Sequence, residues 1–250
     1  MTNWLKALVV QEKYPTIILL QEATTAASRM LRNLGYDTTH AIDCVTGVRD
    51  PSWTRDTTIV SQASLNWGMP VRYVMQGGAK ILIANVHLPS RTRQQDSDVE
   101  LRATYLREYL MGQRKLAPSA EVVAGDFNLV PYNKKMTTRP PDGLGGHRCV
   151  EWIGRKSRRP AEHRELLNAT WRLEGRTDYP LASYHYGSGT DAPWFQYDQI
   201  MLSSELFASR RIEAILIDSI ASTDLTKKTK YREPDPSVGS DHLPVLIRLI

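Results

Sequence analysis

Seven side chains with catalytic potential stand where apolar runs of the sequence begin or end: Glu22, His87, Asp126, Asn128, Asp198, Asp241 and His242. Strand ends deliver such groups to one edge of a sheet, where clefts for ligands form. Hydrolysis of a phosphodiester needs charge neutralisation on the phosphoryl oxygens, a water positioned in line and help for the departing oxygen. Carboxylates, an amide and histidines supply these functions, so the pattern predicts a hydrolytic site.

Glu22 and Asp241 are the expected metal ligands of this site. Mg²⁺ and Mn²⁺ favour carboxylate oxygens and keep several bound waters. Cys44 and Cys149 are the only cysteines, and neither belongs to a Cys-x-x-Cys or Cys/His pattern that would indicate structural zinc. The sequence therefore indicates Mg²⁺ (or Mn²⁺) as the cofactor, and a reducing compartment.

Taken singly, each residue also has a structural interpretation. Glu22 could be a favourable charge at the start of the following helix, and Asp126 could cap a turn before Pro131. His87 alone is more typical of a histidine without a catalytic role, and Asp198 alone could bond a neighbouring loop. The chemical interpretation depends on the joint pattern.

The elements that position these residues are predicted from hydrophobic periodicity. Short apolar runs indicate strands at Thr16–Leu20, Thr57–Val60, Ile81–Val86, Glu121–Ala124, Gln199–Leu202, Ile212–Ile217 and Leu243–Ile250. Apolar residues at spacings of three and four indicate outer helices at Trp4–Lys13, Thr24–Asn33, Asp98–Met111 and Glu162–Ala169.

Two neighbouring runs favour a mixed sheet over a purely parallel one. Val71–Val74 and Ile81–Val86 flank Gly77 and Gly78, a pattern typical of a hairpin. The sequence shows no repeat and no clean linker, so we expect a single domain that spans residues 1–250.

The composition is that of a globular protein with a modest excess of positive charge. The 250 residues are 41% hydrophobic and 24% charged, with a formal net charge of +5 and a pI near 9.2. This balance favours polyanionic partners such as nucleic acid without requiring them. No apolar stretch approaches the roughly 18 residues of a membrane span, and the first residues lack a basic segment followed by an apolar run. We therefore expect a cytoplasmic protein with no membrane partner.

Basic residues cluster in the least regular part of the sequence, from Val130 to Pro160. The cluster consists of Arg155, Lys156, Arg158 and Arg159. It is either a solvated loop with scattered charge or a lip over a phosphate-rich substrate. Arg55 is a further candidate for a phosphate contact, although it and Asp56 could equally begin a surface strand.

Five short motifs carry a resemblance to a known family. They are Leu-Leu-Gln-Glu ending at Glu22, Asn-Val-His-Leu-Pro around His87, Gly-Asp-Phe-Asn ending at Asn128, Tyr-Asp-Gln-Ile around Asp198 and Gly-Ser-Asp-His-Leu-Pro-Val around His242. From about residue 16 to its end, the chain resembles the endonuclease/exonuclease/phosphatase superfamily, in which these motifs occur in this order. The resemblance implies an α/β (α+β) fold, a four-layer sandwich of two mixed β-sheets face to face with helices on the outside.

The resemblance also implies a role for each motif residue. Glu22 resembles the metal-binding glutamate and Asp241 a second carboxylate on the metal side. Asp126 matches the aspartate that activates or orients the attacking water, and Asn128 the asparagine that positions water and phosphate. His242 is similar to the histidine that contacts the scissile phosphate.

Two further roles follow from the same resemblance. Asp198 resembles the carboxylate that pairs with His242 and favours its protonated form. His87 looks like the second histidine of deoxyribonuclease-like members, which donates a proton to the leaving oxygen. In those members an acidic residue from a preceding strand supports this histidine, and Asp56 is the expected candidate.

The sequence departs from the family pattern at its beginning. Family members usually open with a strand that ends in an Asn of the metal site, whereas Asn3 has no apolar strand before it. The first strand is either lost, encoded upstream or replaced by another segment. Its absence would leave an open sheet edge and put activity in doubt.

The leading expectation is a divalent-metal-dependent phosphodiesterase, a nuclease that hydrolyses DNA by in-line attack of an activated water. A small-molecule or lipid phosphatase of the same superfamily is the first alternative. A non-catalytic nucleic-acid-binding module that keeps the fold is the second.

Overall fold

The computed structural model describes residues 2–13, 15–41, 43–55, 68–74, 78–90, 96–115, 119–140, 142–147, 164–186, 194–207 and 211–250. The described helices are α1 (Thr2–Gln11), α2 (Thr25–Asn33), α3 (Asp96–Arg114), α4 (Lys134–Thr137) and α5 (Ser204–Phe207). The described strands are β1 (Ile17–Leu20), β2 (Asp37–Ala41), β3 (Cys44–Val48), β4 (Thr54–Arg55), β5 (Gly68–Val74), β6 (Lys80–His87), β7 (Ala120–Asp126), β8 (Gly146–His147), β9 (Leu166–Asn168), β10 (Tyr184–His185), β11 (Trp194–Phe195), β12 (Asp198–Leu202), β13 (Ile212–Leu216), β14 (Ser219–Ile220), β15 (Thr223–Asp224) and β16 (Val245–Leu249).

The largest sheet has seven strands in the order β4-β5-β6-β7-β12-β9-β8. The pairs β6–β7 and β8–β9 are parallel, and the other pairs are antiparallel. The sheet is therefore mixed, and the predicted hairpin is present as β5–β6. β6 and β7 lie at its centre because their apolar runs are buried on both faces, which suits an interior position.

A second layer of strands packs against one face of this sheet. It consists of the three-stranded sheet β1-β3-β2 and the pair β13–β16. Alternate residues of β1 (Ile17 and Leu19) and of β16 (Ile247 and Leu249) pack in the same apolar cluster as Ile81 of β6. Since side chains alternate across a strand, these residues form the inner face of the second layer.

Helices cover the outside of both layers. Leu106 and Leu110 of α3 pack with Leu82 and Val86 on the outer face of the seven-stranded sheet. On the opposite side, α1 and α2 cover β1 and β3. The layers therefore run helix, sheet, sheet, helix, which confirms the expected four-layer sandwich.

Strands β1 and β16 lie at edges of the two sheets of the second layer. Among the described residues, β1 pairs only with β3, and β16 pairs only with β13. Helix α1 packs beside both strands, and Arg248 of β16 forms a 2.6 Å ion pair with Glu12 just after α1.

One predicted helix is wrong over the part that the structure describes. Within the predicted helix Glu162–Ala169, the residues Leu166–Asn168 form strand β9, and a 3₁₀ turn follows over Ala169–Leu173. β9 pairs with β12, and Leu166 and Leu167 are both buried in the core. This pairing overrides a local apolar spacing that a helix would also show. The predicted strand Thr57–Val60 lies outside the described residues.

None of the described helices is both long enough and apolar enough to cross a lipid bilayer.

Candidate active site

Three neighbouring strands of the large sheet end at the same edge with a polar residue. His87 of β6 is the register partner of Asp126 of β7, and Asp126 is the partner of Asp198 of β12. β6 and β7 are parallel and β12 is antiparallel, so the ends of the first two strands meet the beginning of the third. The alignment brings three of the predicted site residues side by side.

Gly125 allows β6 and β7 to approach closely beside this edge. Its φ of +139° is one that residues with a side chain rarely adopt, and a Cβ placed there would lie 2.0 Å from the carbonyl oxygen of Val86. The glycine of the Gly-Asp-Phe-Asn motif is therefore required by backbone packing rather than by chemistry.

Asn128 wraps back onto Asp126 in a tight turn. Its backbone N–H donates to Asp126 Oδ1 at 2.8 Å, and its Nδ2 donates to Asp126 Oδ2 at 2.9 Å and to the carbonyl of Leu88 at 2.7 Å. The φ of Asn128 is +48°, in the left-handed region that asparagine tolerates better than most residues. The turn fixes the direction in which the Asp126 carboxyl points.

The loop that carries Asn128 is anchored by a buried amide chain. Gln199 Nε2 donates to the carbonyl of Leu129, and Asn168 Nδ2 donates to Gln199 Oε1 at 2.7 Å. Both side chains are buried, and each buried amide finds a partner, as the interior requires. The turn is thereby tied to β9 and β12.

Asp126 is buried beside another carboxylate. The residue is only 7% exposed, and burial together with the charge of Asp198 raises its pKa to about 6. The charge of His242, the N–H of Asn128 and the charge of His87 act in the opposite direction. A carboxyl poised near neutrality suits a group that accepts a proton during turnover.

His242 forms an ion pair with Asp198. Its Nδ1 lies 2.8 Å from Asp198 Oδ2. Burial alone would lower the pKa of His242, but the charge and hydrogen bond of Asp198, with the charges of Asp126 and Asp241, raise it to about 9. Burial would raise the pKa of Asp198, but His242 and the Ser183 hydroxyl hold it below its usual value. His242 is thus a cation at neutral pH.

His87 has its own carboxylate partner, which is Asp43. The Nδ1 of His87 lies 2.6 Å from Asp43 Oδ2, and its Nε2 lies 3.9 Å from Glu22 Oε1 and 4.0 Å from Asp126 Oδ2. Asp43 stands in the turn between β2 and β3. The expected partner, Asp56, lies outside the described residues, and the carboxylate observed on His87 is one that the sequence did not single out.

Glu22 lies two residues after the end of β1. Its side chain is 78% exposed, and its φ of +50° is strained for a residue with a side chain. The preceding Gln21 donates to Asn85 Oδ1 at 2.6 Å, and Asn85 Nδ2 donates to the carbonyls of Leu20 and Val45. A buried amide pair therefore holds the backbone from which Glu22 extends.

Asp241 is the second expected metal ligand, and it is also exposed. Its charge contributes to the raised pKa values of His242 and Tyr184. Among the described residues, no set of three or more His, Cys, Asp and Glu side chains is arranged to hold a metal ion. Mg²⁺ is commonly held by one or two carboxylates with several waters, so Glu22 and Asp241 suit it chemically.

The predicted basic contacts lie apart from these groups or outside the described residues. The guanidinium of Arg55 lies 3.0 Å from Thr39 Oγ1 and 3.4 Å from Asp37 Oδ1, so its described contacts are with β2. Arg155, Lys156, Arg158 and Arg159 lie outside the described residues.

Tyr184 and Ser183 belong to the site, and the motifs did not assign them a role. The Tyr184 ring packs 4.7 Å from the ring of His242, and the two residues form a β-bridge. Ser183 Oγ accepts from the N–H of Asp198 at 3.3 Å, and the Ser183 carbonyl accepts from the N–H of Leu243 at 2.7 Å. For Tyr184, the sequence signal was the aromatic group Tyr184, Tyr186, Trp194 and Phe195, which could stack on bases or sugars but is more typical of loop packing.

Comparison with known proteins gives structural neighbours only. No protein-family model and no curated protein matches the chain. The structure is similar to truncated TDP2 from Caenorhabditis elegans, with 17% identity and a TM-score of 0.59 over 100% of this chain and 90% of that one. It is also similar to the mannosyl-6-phosphatase Bt3783 of Bacteroides thetaiotaomicron, with 14% identity and a TM-score of 0.58 over 99% and 90% of the two chains.

A third neighbour supplies the name of the fold. It is an endonuclease/exonuclease/phosphatase family protein from Bacteroides thetaiotaomicron, with 14% identity and a TM-score of 0.60 over 98% of this chain and 87% of that one. The four layers agree with this similarity. The chain has the fold of the endonuclease/exonuclease/phosphatase superfamily, as its five motifs predict.

Proposed function

We propose that this chain is a divalent-metal-dependent phosphodiesterase that hydrolyses DNA by attack of an activated water on phosphorus. The observation that carries the proposal is one buried carboxyl between two histidines, each with its own carboxylate. Asp126 has His87 with Asp43 on one side and His242 with Asp198 on the other. Such a site offers an acceptor and two donors of protons within a few ångströms.

Each group has a defined task in the proposed reaction. Asp126 accepts a proton from the attacking water as the new P–O bond forms, and the pKa near 6 leaves it ionised at neutral pH. Asn128 fixes the orientation of that carboxyl. His242, kept cationic by Asp198, donates a hydrogen bond to a phosphoryl oxygen and stabilises its developing charge.

His87 is the proposed donor to the departing oxygen. Asp43 occupies its Nδ1, so Nε2 faces Glu22 and Asp126. When the old P–O bond breaks, the proton passes from Nε2 to the leaving oxygen. Glu22 and Asp241 would hold Mg²⁺ or Mn²⁺, which when bound neutralises charge on the phosphate.

DNA is proposed as the substrate because of the overall charge and the paired histidines. The net charge of +5 favours a polyanion over a small neutral ester. A phosphatase that acts on a small phosphomonoester is the second candidate, since one structural neighbour is a mannosyl-6-phosphatase. The same groups serve either reaction, and the substrate distinguishes them.

A substrate panel tests the proposal directly. The protein is incubated with supercoiled plasmid, single-stranded DNA, RNA and phosphomonoesters, with Mg²⁺, Mn²⁺ or chelator, beside Asp126→Asn and His242→Asn. We expect metal-dependent cleavage of DNA that both substitutions abolish and that Lys6→Ala on the outer helix α1 leaves intact. Cleavage that survives chelator or both substitutions would refute the site.

Two other outcomes would replace the proposed function. Turnover confined to phosphomonoesters would establish the phosphatase. DNA binding with a steep salt dependence but no turnover of any substrate would establish a binding module.

A further inference from the structure

The short hairpin β10–β11 has two aromatic faces, and only one of them contacts the site. On the first face, Tyr184 packs against His242 and Tyr197, and Phe195 stacks on Tyr197 with centroids 5.2 Å apart. Neighbouring residues of a strand point to opposite faces, so His185 faces away from His242. The second face is not used by the proposed mechanism.

The second face is formed by four aromatic rings in mutual contact. His185 packs against Trp194 and Tyr231 with centroid distances of 4.9 and 6.2 Å. Tyr179 closes the group, at 6.3 Å from Trp194 and 5.6 Å from Tyr231. Burial lowers the pKa of His185, so its ring adds no positive charge to the group at neutral pH. Tyr231 is 41% exposed, which leaves part of a large ring open to solvent.

The loop from Thr226 to Pro234 holds Tyr231 in place. Thr226 and Pro234 form a β-bridge, and the N–H of Lys227 donates to the carbonyl of Glu233 at 2.8 Å. Arg232 bonds Asp218 at 3.2 Å and reaches the carbonyl of Tyr179 at 3.4 Å. The ring is therefore presented by a loop with fixed ends, so less conformational entropy would be lost when it stacks on a ligand.

Three lysines belong to the same loop as this ring. Lys227, Lys228 and Lys230 are exposed, and the structure shows no ion pair for any of them among the described residues. The Nζ of Lys230 lies 5.5 Å from the centre of the Tyr231 ring. Asp224 lies 3.4 Å from Arg232, whereas Glu233 accepts from the neutral hydroxyl of Thr229 and keeps its charge, which acts on Lys227. Lys228 and Lys230 have no carboxylate partner among the described residues, so an anionic ligand can contact them.

We propose that this surface, formed by Tyr179, His185, Trp194, Tyr231, Lys227, Lys228 and Lys230, binds a single-stranded stretch of nucleic acid that continues from the phosphate held at His242. We call it the Tyr231 surface. Exposed aromatic rings stack on unpaired bases, and lysines beside them neutralise the backbone phosphates between those bases. A duplex keeps its bases stacked inside and offers only its phosphates, so the ring favours a single strand.

The position of the Tyr231 surface supports this occupant. Tyr184 forms a β-bridge with His242, and the next residue, His185, belongs to the surface. Tyr184 and His185 are consecutive residues of β10 that point to opposite faces, so His242 and the Tyr231 surface lie on the two sides of the same two-stranded sheet. The inference rests on the proposed function, because it assigns the surface to the same substrate.

Binding is tested in an Asp126→Asn background, where cleavage cannot consume the ligand. A fluorescent single strand of about 12 nucleotides lies within the site sizes of single-strand binders. We expect Tyr231→Ala to raise its Kd by about tenfold or more, since stacking on one ring contributes that much to binding. Tyr231→Phe keeps the ring and is expected to bind as the background does.

The lysines are tested through the salt dependence of the same binding. Lys227, Lys228 and Lys230 are replaced together by alanine, and Lys6, Arg29 and Arg32 on α1 and α2 form the matched control. Each phosphate contact that is lost lowers the slope of log K against log salt by about 0.7, so the first triple variant loses about two in slope and the control loses none.

Turnover separates this inference from the proposed function. With Asp126 restored, we expect Tyr231→Ala to raise KM for the long strand and to leave hydrolysis of a dinucleotide, which is too short to reach the surface, unchanged. If no diester is hydrolysed, the proposed function fails while the binding comparison still decides the surface. Equal binding by Tyr231→Ala and by its background would overturn the inference. If the triple lysine variant binds more weakly in that case, the lysines attract the strand without any stacking on Tyr231.

Discussion

Strand β7 carries a buried carboxyl near each end, and the two carboxyls have different hydrogen-bond partners. Glu121, near its beginning, is fully buried and receives two hydrogen bonds from Arg114, at 2.8 Å from Nε and 2.9 Å from the terminal nitrogen. Asp126, at its end, receives side-chain hydrogen bonds from the neutral amide groups of Asn128 alone among the described residues, and it has Asp198 as a neighbour. Glu121 is therefore hydrogen-bonded directly to a cation, whereas Asp126 is hydrogen-bonded to neutral groups and has its nearest described histidine nitrogen, His87 Nε2, 4.0 Å away.

The difference shows what each end of the strand contributes. A bidentate pair between Arg and Glu satisfies both partners and leaves no group free to react. A carboxyl held beside another carboxylate stores unfavourable electrostatic energy, which a proton or a cation relieves. The beginning of β7 therefore stabilises the fold, whereas its end can take part in chemistry.

The largest expected effect is on kcat, and it comes from an isosteric change of Asp126. We call the end of β7 that carries Asp126 the reactive end, after its proposed role. Asp126→Asn removes the proton acceptor, so kcat should fall by about 10²- to 10⁴-fold. The free energy of unfolding should change by less than about 1 kcal/mol, because the lost hydrogen bond from Asn128 is offset by relief from the charge of Asp198. Turnover of DNA and urea denaturation measure the two quantities. A large loss of stability would show that Asp126 is a structural residue.

The same change at the other end should have the reverse outcome. Glu121→Gln leaves the buried guanidinium of Arg114 without its counter-charge, and the free energy of unfolding should fall by about 3–5 kcal/mol. The kcat of the folded fraction should stay as it was, because Glu121 lies several residues along the strand from the site. Urea denaturation measures the loss. Combining Arg114→Met with Glu121→Leu should restore much of the stability, since an apolar pair needs no charge compensation.

Gly125 tests how tightly the reactive end is held against β6. Alanine there would place its Cβ 2.0 Å from the carbonyl oxygen of Val86 and force an unfavourable φ. We expect Gly125→Ala to reduce the free energy of unfolding by about 2–3 kcal/mol. Gly112 in α3 has no atom within 4 Å of the same position, so Gly112→Ala is a control that should be neutral or stabilising. Thermal denaturation of both variants makes the comparison, and equal melting temperatures would contradict the packing argument.

The sequence predicted the position of Asp126 at the end of β7 better than it predicted the residues that contact the site around it. Long apolar runs such as β6 and β7 were placed within one or two residues of their observed bounds, because burial on both faces leaves a continuous signal. The motif order then placed Asp126, Asp198 and His242 together. Asp43 was missed because its contact with His87 depends on the turn between β2 and β3, for which no strand had been predicted.

The predicted helix over Glu162–Ala169 failed for a related reason. Adjacent leucines fit a helix or a strand equally well in a short segment, and pairing of β9 with β12 decides between them. The contacts of Tyr184 and Ser183 with the segment around His242 were likewise not predicted, because they join positions that are far apart in sequence. Contacts between distant segments are set by the whole fold rather than by local pattern.

The smallest expected effect is on the pH dependence of activity. It distinguishes the role of Asp126 from that of Asp198. Activity should rise as Asp126 ionises, near or below pH 6, and fall as His242 loses its proton near pH 9. Asp198→Asn removes the charge that raises both pKa values, so both limbs of the kcat/KM profile should move to lower pH. Burial then becomes the main influence on the pKa of His242. The alkaline limb of the profile should therefore move toward or below the ordinary histidine value of 6.5. Glu121→Gln is the matched control and should leave both limbs in place, because its charge is already balanced by Arg114. A profile of Asp198→Asn that differs only in height would mean that Asp198 orients His242 without setting its protonation.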